Sequence, residues 1–271
     1  MICKIKSYAK INLNLKVIKR KKNGYHKLKT IMSVIDLHDN ICFTESDKII
    51  VNMNPEYCGE KDNLCYRVAV YMKKYTNDPR GIRIDIVKRI PVGGGLGGGS
   101  SNAAAVLLFL NKYWNINFSF RKLKKIAFSF GADIPFFITG NQCFVSGCGE
   151  KVKPIKKAIN GDVILLVPPF GLKTKDVFER WDSAKKRANS SFKYSDLYND
   201  LEGSANAVSN NQINNYINRM SKLGEGKVLM SGSGSTIVYY VNQNESCEEV
   251  YKKIRNEFSE CEVFCSKIKP Y

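Results

Sequence analysis

Six glycines and two serines crowd the stretch from Pro91 to Leu110, PVGGGLGGGSSNAAAVLLFL. Glycines remove the side chains that would keep an anion off the backbone, so loop amides can reach it, and a following helix N-terminus adds partial positive charge. Such a loop suits phosphate binding. Its flanks agree. Before it, Gly81 to Pro91 reads GIRIDIVKRIP, with Ile82, Ile84 and Ile86 alternating with polar residues as in a half-buried strand. After it, Asn102 to Leu110 is rich in Ala and Leu and holds helical spacing. A Gly-Ser linker does not usually lie between a strand and a helix.

The loop has look-alikes. Gly93, Gly95 and Gly98 satisfy the dinucleotide fingerprint by spacing, but a run this rich in glycine matches many templates. The acidic residue expected about twenty positions later is missing from KYWNINFSFRKLKK. A Walker A loop is excluded, because Gly99 stands before Ser100 where that loop has Lys. What remains is a nucleotide cradle of serine hydroxyls and helix amides, with Mg²⁺ accompanying the phosphates.

Other residues could do chemistry with it, and each has a plainer reading. Lys10 and Asn12, two apart on a strand, project a cation and an amide from one face, or form an exposed edge. Asp133, in GADIPFFITG, offers a carboxylate to a cleft, or caps a short helix beginning at Ile134. Tyr25 and His26 follow a turn and offer a ring and an imidazole, or simply cap that turn. SGSGS, Ser231 to Ser235, reads first as a hairpin connection.

The elements that must position these residues are legible in part. Ile11, Leu13, Leu15 and Val17 alternate with Lys10, Asn12, Asn14 and Lys16, predicting a strand over Lys10 to Ile18. Asn23-Gly24 is a hairpin signal, and Lys27 to Leu37 resumes as a strand. Helices are expected at Asp62 to Tyr75, Arg121 to Phe130, Lys175 to Arg187, Asn206 to Leu223 and Glu245 to Glu257. Strands are expected within Phe144 to Lys153 and at Asp162 to Pro168, Lys227 to Met230, Thr236 to Val241 and Val263 to Ile268. The pattern is α+β with predominantly antiparallel pairing and a domain boundary near Lys153 to Gly161, dividing the chain into residues 1–156 and 157–271.

Composition narrows the class without deciding function. A length of 271 residues accommodates one large or two small domains, and no apolar run approaches a membrane span. The N-terminus alternates apolar and polar residues in place of a signal sequence, so a cytoplasmic location is expected, with no membrane partner. Nine scattered cysteines without a CxxC pair, and only two histidines, argue against zinc and disulfide frameworks. The net charge of +18 is dispersed along a chain rich in Lys, Asn and Ile, with no basic-aromatic patch. Nucleic acid is not expected as a partner.

In order along the chain, YAKINLNLKV, NGYHKL, DNLCYRVA, PVGGGLGGGSSNAA, GADIPFFITG, PPFGLKTKDVF, LYNDLE and MSGSGSTIV carry a resemblance over nearly its whole length. The chain resembles the GHMP small-molecule kinases. Within them it is similar to the 4-diphosphocytidyl-2-C-methyl-D-erythritol kinase family of non-mevalonate isoprenoid synthesis, to which AKINL with GYH points. Asn23, where that family usually has Asp, and Cys148 in VSGCGE depart from its pattern.

The resemblance implies an N-terminal domain like ribosomal protein S5 domain 2, a ferredoxin-like C-terminal domain, and ATP-dependent phosphorylation of the 2-hydroxyl of 4-diphosphocytidyl-2-C-methyl-D-erythritol. It makes Lys10 catalytic and Asp133 the base. Pro91, Val92, Gly93, Gly94, Gly95, Leu96, Gly97, Gly98, Gly99, Ser100 and Ser101 would hold ATP, with Asn63, Lys88 and Asn102 contacting the nucleotide. Tyr25 and Phe178 would sandwich the cytosine and His26 hydrogen-bond to it, with Asn12 and Thr174 also touching substrate. SGSGS would close over the phosphates. The open alternatives are homoserine or mevalonate kinase in the same superfamily, a basic RNA-binding protein, and a dinucleotide oxidoreductase.

Overall fold

The computed structural model describes residues 1–156, 158–184, 192–193 and 196–268. Two long strands dominate it: β1, Cys3–Arg20, and β2, His26–Thr44, form an antiparallel hairpin turned at Gly24, whose φ is +83°. Asn23 Oδ1 accepts from the Tyr25 amide at 3.3 Å within this turn.

β2 is the hub. It pairs with β4, Ile82–Val87, and with β5, Gln142–Gly147, which in turn pairs with β6, Lys151–Pro154. β3, Ile49–Asn54, was not anticipated in the sequence and runs parallel to β4, an exception to the antiparallel rule. The crossover between them carries α1, Leu64–Lys73. Then α2, Gly98–Tyr113, α3, Phe120–Phe130, and α4, Ile134–Thr139, complete this half. One core joins Ile41, Phe43, Ile82 and Ile84 of the sheet to Met72, Val106, Leu107 and Leu110 of the helices.

The second half centres on β7, Gly161–Val167, flanked by β11, Glu262–Ile268, and β10, Ile237–Tyr240, with β9, Lys227–Met230, outermost. Its helices are α5, Thr174–Ser183, α6, Glu202–Val208, α7, Gln212–Met220, and α8, Cys247–Glu257. The single helix expected over Asn206 to Leu223 is two. Asn210 and Asn211 adopt φ of +51° and +67°, a left-handed step that Asn tolerates and that no helix continues through. The expected end of α5 at Arg187 lies outside the described residues.

The halves share backbone bonds. β11 meets β2 at Ile268 and Ile35, and β8, Tyr198–Asn199, lies parallel to β1 at Asn14 and Leu15. A core of Ala9, Ile11, Leu13, Leu96, Leu165 and Val238 spans them. Among the described residues no helix is long and apolar enough to cross a membrane.

Candidate active site

The alternation of β1 puts Lys10, Asn12 and Asn14 on one face, yet that face is covered. Lys10 is only 4% exposed, so it is no solvent-facing edge. The hairpin is irregular on both sides of it, with register shifts between Tyr8 and Lys10 and between Asn12 and Asn14. Such bulges are common next to functional sites, where they re-aim side chains. Lys10 Nζ donates to Asn12 Oδ1 at 2.7 Å, and Asn12 Nδ2 donates to Thr30 Oγ1 at 2.8 Å. Asn12 therefore aims the ammonium, and its other polar end is already bound.

Asp133 supplies the opposing charge. It precedes α4 in the cap position but makes no side-chain cap bond, so the plainer reading of this residue fails. Its carboxylate instead lies 3.7 Å from Lys10 Nζ, with its side chain 41% exposed. Burial depresses the Lys10 pKa below its ordinary value, and the Asp133 carboxylate opposes that shift without cancelling it.

The glycine loop rests on Lys10. The Lys10 amide donates to the Leu96 carbonyl at 2.9 Å. Gly97, in the left-handed region at φ +71°, caps α2, and a Cβ there would come within 3.1 Å of Lys10 Cγ. Gly95, at φ +75°, faces the second loop, where a Cβ would meet the Ser231 carbonyl at 2.6 Å. The Thr236 amide donates to the Gly94 carbonyl at 3.3 Å. SGSGS is thus both the β9–β10 connection and a support for the glycine loop.

Two cavities meet at the loop. One, of about 410 Å³, is lined by Asn63, Lys88, Gly93 to Ser100 and Asn102, with Met53, Tyr57, Leu64, Ile86 and Val92 supplying apolar wall. Pro91 lines it too. Asn63 caps α1, its Oδ1 accepting from the Cys65 amide at 2.9 Å. The two serines part company. Ser100 lines this cleft, whereas Ser101 Oγ is buried 2.6 Å from Ser7 Oγ and does not. Helical spacing turns consecutive residues about 100° apart, so both cannot face one ligand.

The other cavity, of about 790 Å³, holds Lys10, Asn12, Tyr25, His26, Asp133, Thr174 and Phe178. Gly95 and Gly97 border both spaces. Tyr25 is 57% exposed at the mouth. His26 lies face to face with Phe178, ring centroids 4.5 Å apart, and its Nε2 is 2.9 Å from Asp182 Oδ1. Arg20 pairs with the other Asp182 oxygen at 3.3 Å. One face of Phe178 is therefore taken by His26. Thr174 Oγ1 is 2.9 Å from Ser233 Oγ, linking α5 to the second loop.

The sequence reading missed Asp39, Asp182 and Thr30. A buried acid on an apolar strand, as in IDLHDNI, was the available signal for Asp39. Asp182 follows Phe178 by four residues, one helical turn, which was the signal there. Among the described residues no group of three His, Cys, Asp or Glu side chains could hold a metal.

The model of the GHMP kinases N terminal domain matches residues 63–141. The 4-diphosphocytidyl-2-C-methyl-D-erythritol kinase of Clostridium perfringens strain 13 is 32% identical over 290 residues, covering 97% of each chain. That of Clostridium beijerinckii is 33% identical over 272 residues, covering 95% of this chain and 97% of its own. A crystal structure of 4-(cytidine 5'-diphospho)-2C-methyl-D-erythritol kinase matches at a TM-score of 0.83 and 28% identity, covering 98% of both chains. The mevalonate kinase of Methanococcus jannaschii shares the fold at a TM-score of 0.68 and 16% identity, again over 98% of both. With its α+β GHMP kinase fold, the chain belongs to the 4-diphosphocytidyl-2-C-methyl-D-erythritol kinase family.

Proposed function

We propose that this protein transfers the γ-phosphoryl group of ATP to the 2-hydroxyl of 4-diphosphocytidyl-2-C-methyl-D-erythritol. One observation carries the reading: the Lys10–Asp133 pair lies in the larger cavity, beside the glycines that border both spaces. In this reading ATP occupies the smaller cleft, with its phosphates over the loop amides and the N-terminus of α2. The alcohol enters the larger cavity and donates its hydroxyl hydrogen to Asp133.

As the alcohol oxygen bonds to the γ-phosphorus, the bond from that phosphorus to the bridging oxygen breaks. The proton passes to Asp133 and ADP leaves. Phosphoryl transfer is loose and depends on positioning and charge stabilisation, which a buried, rigidly aimed Lys10 provides. Mg²⁺ arriving with ATP supplies further charge neutralisation. Tyr25, His26 and Phe178 flank the cytosine, and residues 1–156 and 157–271 act as two lobes that each contribute to the site.

A coupled ADP-release assay with and without the cytidyl alcohol tests this. ADP release that depends on the cytidyl alcohol is expected. Phosphorylation of homoserine or mevalonate, with no response to the cytidyl alcohol, would sink the substrate assignment.

A further inference from the structure

Asp39 lies on β2, fully buried, and takes no part in the chemistry described above. Its carboxylate gathers four donors. Oδ1 accepts from the amides of Arg89 at 2.7 Å and Ile90 at 2.9 Å. Oδ2 accepts from Asn102 Nδ2 at 3.0 Å and from the ammonium of Lys88. Donors of this number and charge offset the cost of burying a carboxylate so far from water.

The donors share a geography. Lys88 to Ile90 is the chain entering the glycine loop, and Asn102 sits on the helix leaving it. Asp39 thus ties the two ends of the loop to the central strand. Lys88 and Asn102 also line the smaller cleft. A Cβ on Gly98 would come within 3.0 Å of Lys88 Nζ, so the ammonium sits against the first residue of α2. The positive end of a helix disfavours a cation there, and the Asp39 carboxylate is what holds it.

Asn102 is oriented by the same contact. Its Nδ2 donates to Asp39, so Oδ1 is turned the other way. That oxygen is buried without a partner among the described residues. An acceptor suits a hydroxyl or amino group of a nucleoside and not a phosphate oxygen.

We propose that Asp39 is a positioning residue for the nucleotide, fixing Lys88, Asn102 and both ends of the glycine loop in the geometry that binds ATP. The proposal rests on the ATP-dependent reading given above. Asp39 acts through Lys88 and Asn102 and touches no reacting atom.

Calorimetric titration with ATP, in the absence of the alcohol, tests it on four proteins: wild type, Asp39→Asn, Lys88→Met and the double variant. Asp39→Asn leaves Lys88 buried without its counter-charge and can unfold the chain, whereas the double variant removes both charges together. Thermal midpoints report which variants are folded. Asp39→Asn, where folded, and the double variant should each weaken ATP roughly tenfold or more. The double variant should be no weaker than Lys88→Met by more than a small factor, as for residues that act as one unit. The KM for the alcohol should stay near wild type, because neither Asp39 nor Lys88 lines the larger cavity. A folded double variant that binds ATP as wild type does would reduce Asp39 to a buried ion-pair partner and overturn the proposal. So would a loss confined to kcat or to the alcohol KM. Wild-type protein that binds no ATP would instead overturn the kinase reading itself.

Discussion

Lys10 is buried while the carboxylate of Asp133, 3.7 Å away, is 41% exposed. The asymmetry divides their labour. The cation is fixed in place by Asn12 and the strand, and the carboxylate keeps a free side, which on the proposed reading receives the incoming hydroxyl.

On the proposed reading, replacing Asp133 with Asn keeps the shape and removes the base. Turnover should fall by about 10²–10⁴ while ATP affinity stays near wild type. Single-turnover rates with calorimetry check this, and near-normal turnover in a folded Asp133→Asn protein would leave Asp133 as no more than the residue that begins α4.

Burial holds the Lys10 pKa below its ordinary value of 10.5. On the proposed reading the working form is the ammonium, so activity should be present below the depressed pKa and lost as pH rises through it. The alkaline limb of kcat/KM should therefore lie below 10.5. Stability runs the other way: between the depressed value and 10.5 the unfolded chain binds more protons, so this group favours the native state increasingly as pH rises. In Lys10→Arg the limb should vanish from the profile, because guanidinium stays charged throughout. Persistence of the same limb in that variant would assign it to another group.

The loop glycines should separate binding from folding. A Cβ on Gly99 meets nothing within 4 Å, and the residue lines the smaller cleft, where the proposed reading puts ATP. Gly99→Val should keep the thermal midpoint and lower ATP affinity at least tenfold, of the order that a blocked phosphate contact produces. Gly97→Val should lose both, since φ is +71° and Phe137 lies 3.0 Å from the added atom. Unchanged nucleotide affinity in Gly99→Val would mean that the phosphates lie elsewhere.

On the proposed reading, substrate identity turns on the aromatic end of the larger cavity. Truncating Tyr25 or Phe178 to Ala should weaken the cytidyl alcohol by about 1–3 kcal/mol and leave ATP affinity unaltered. Phe178→Ala also removes the ring on which His26 lies, so its effect should be the larger of the two. Cytidine diphosphate should compete with the alcohol and not with ATP. Inhibition kinetics decide the matter, and competition against ATP would move the cytosine out of this cavity.

Much of this protein was legible in the sequence because the signals are local. The strand before the glycine loop, the helix after it and the Asn23-Gly24 turn follow from neighbouring residues, and so does the shared face of Lys10 and Asn12. Tertiary structure decided the rest. Nothing local distinguishes an aspartate that caps α4 from one that faces Lys10, because the difference lies in a strand far away in sequence. Ser100 and Ser101 look equivalent until the helix is docked on β1 and Ser7 takes one of them. Asn210 and Asn211 break a helix whose apolar spacing continues on both sides, since a left-handed step is cheap for Asn and carries no periodicity. Asp39 shows the limit most plainly. Its four donors come from a loop and a helix much later in the chain, and only folding brings them to one carboxylate.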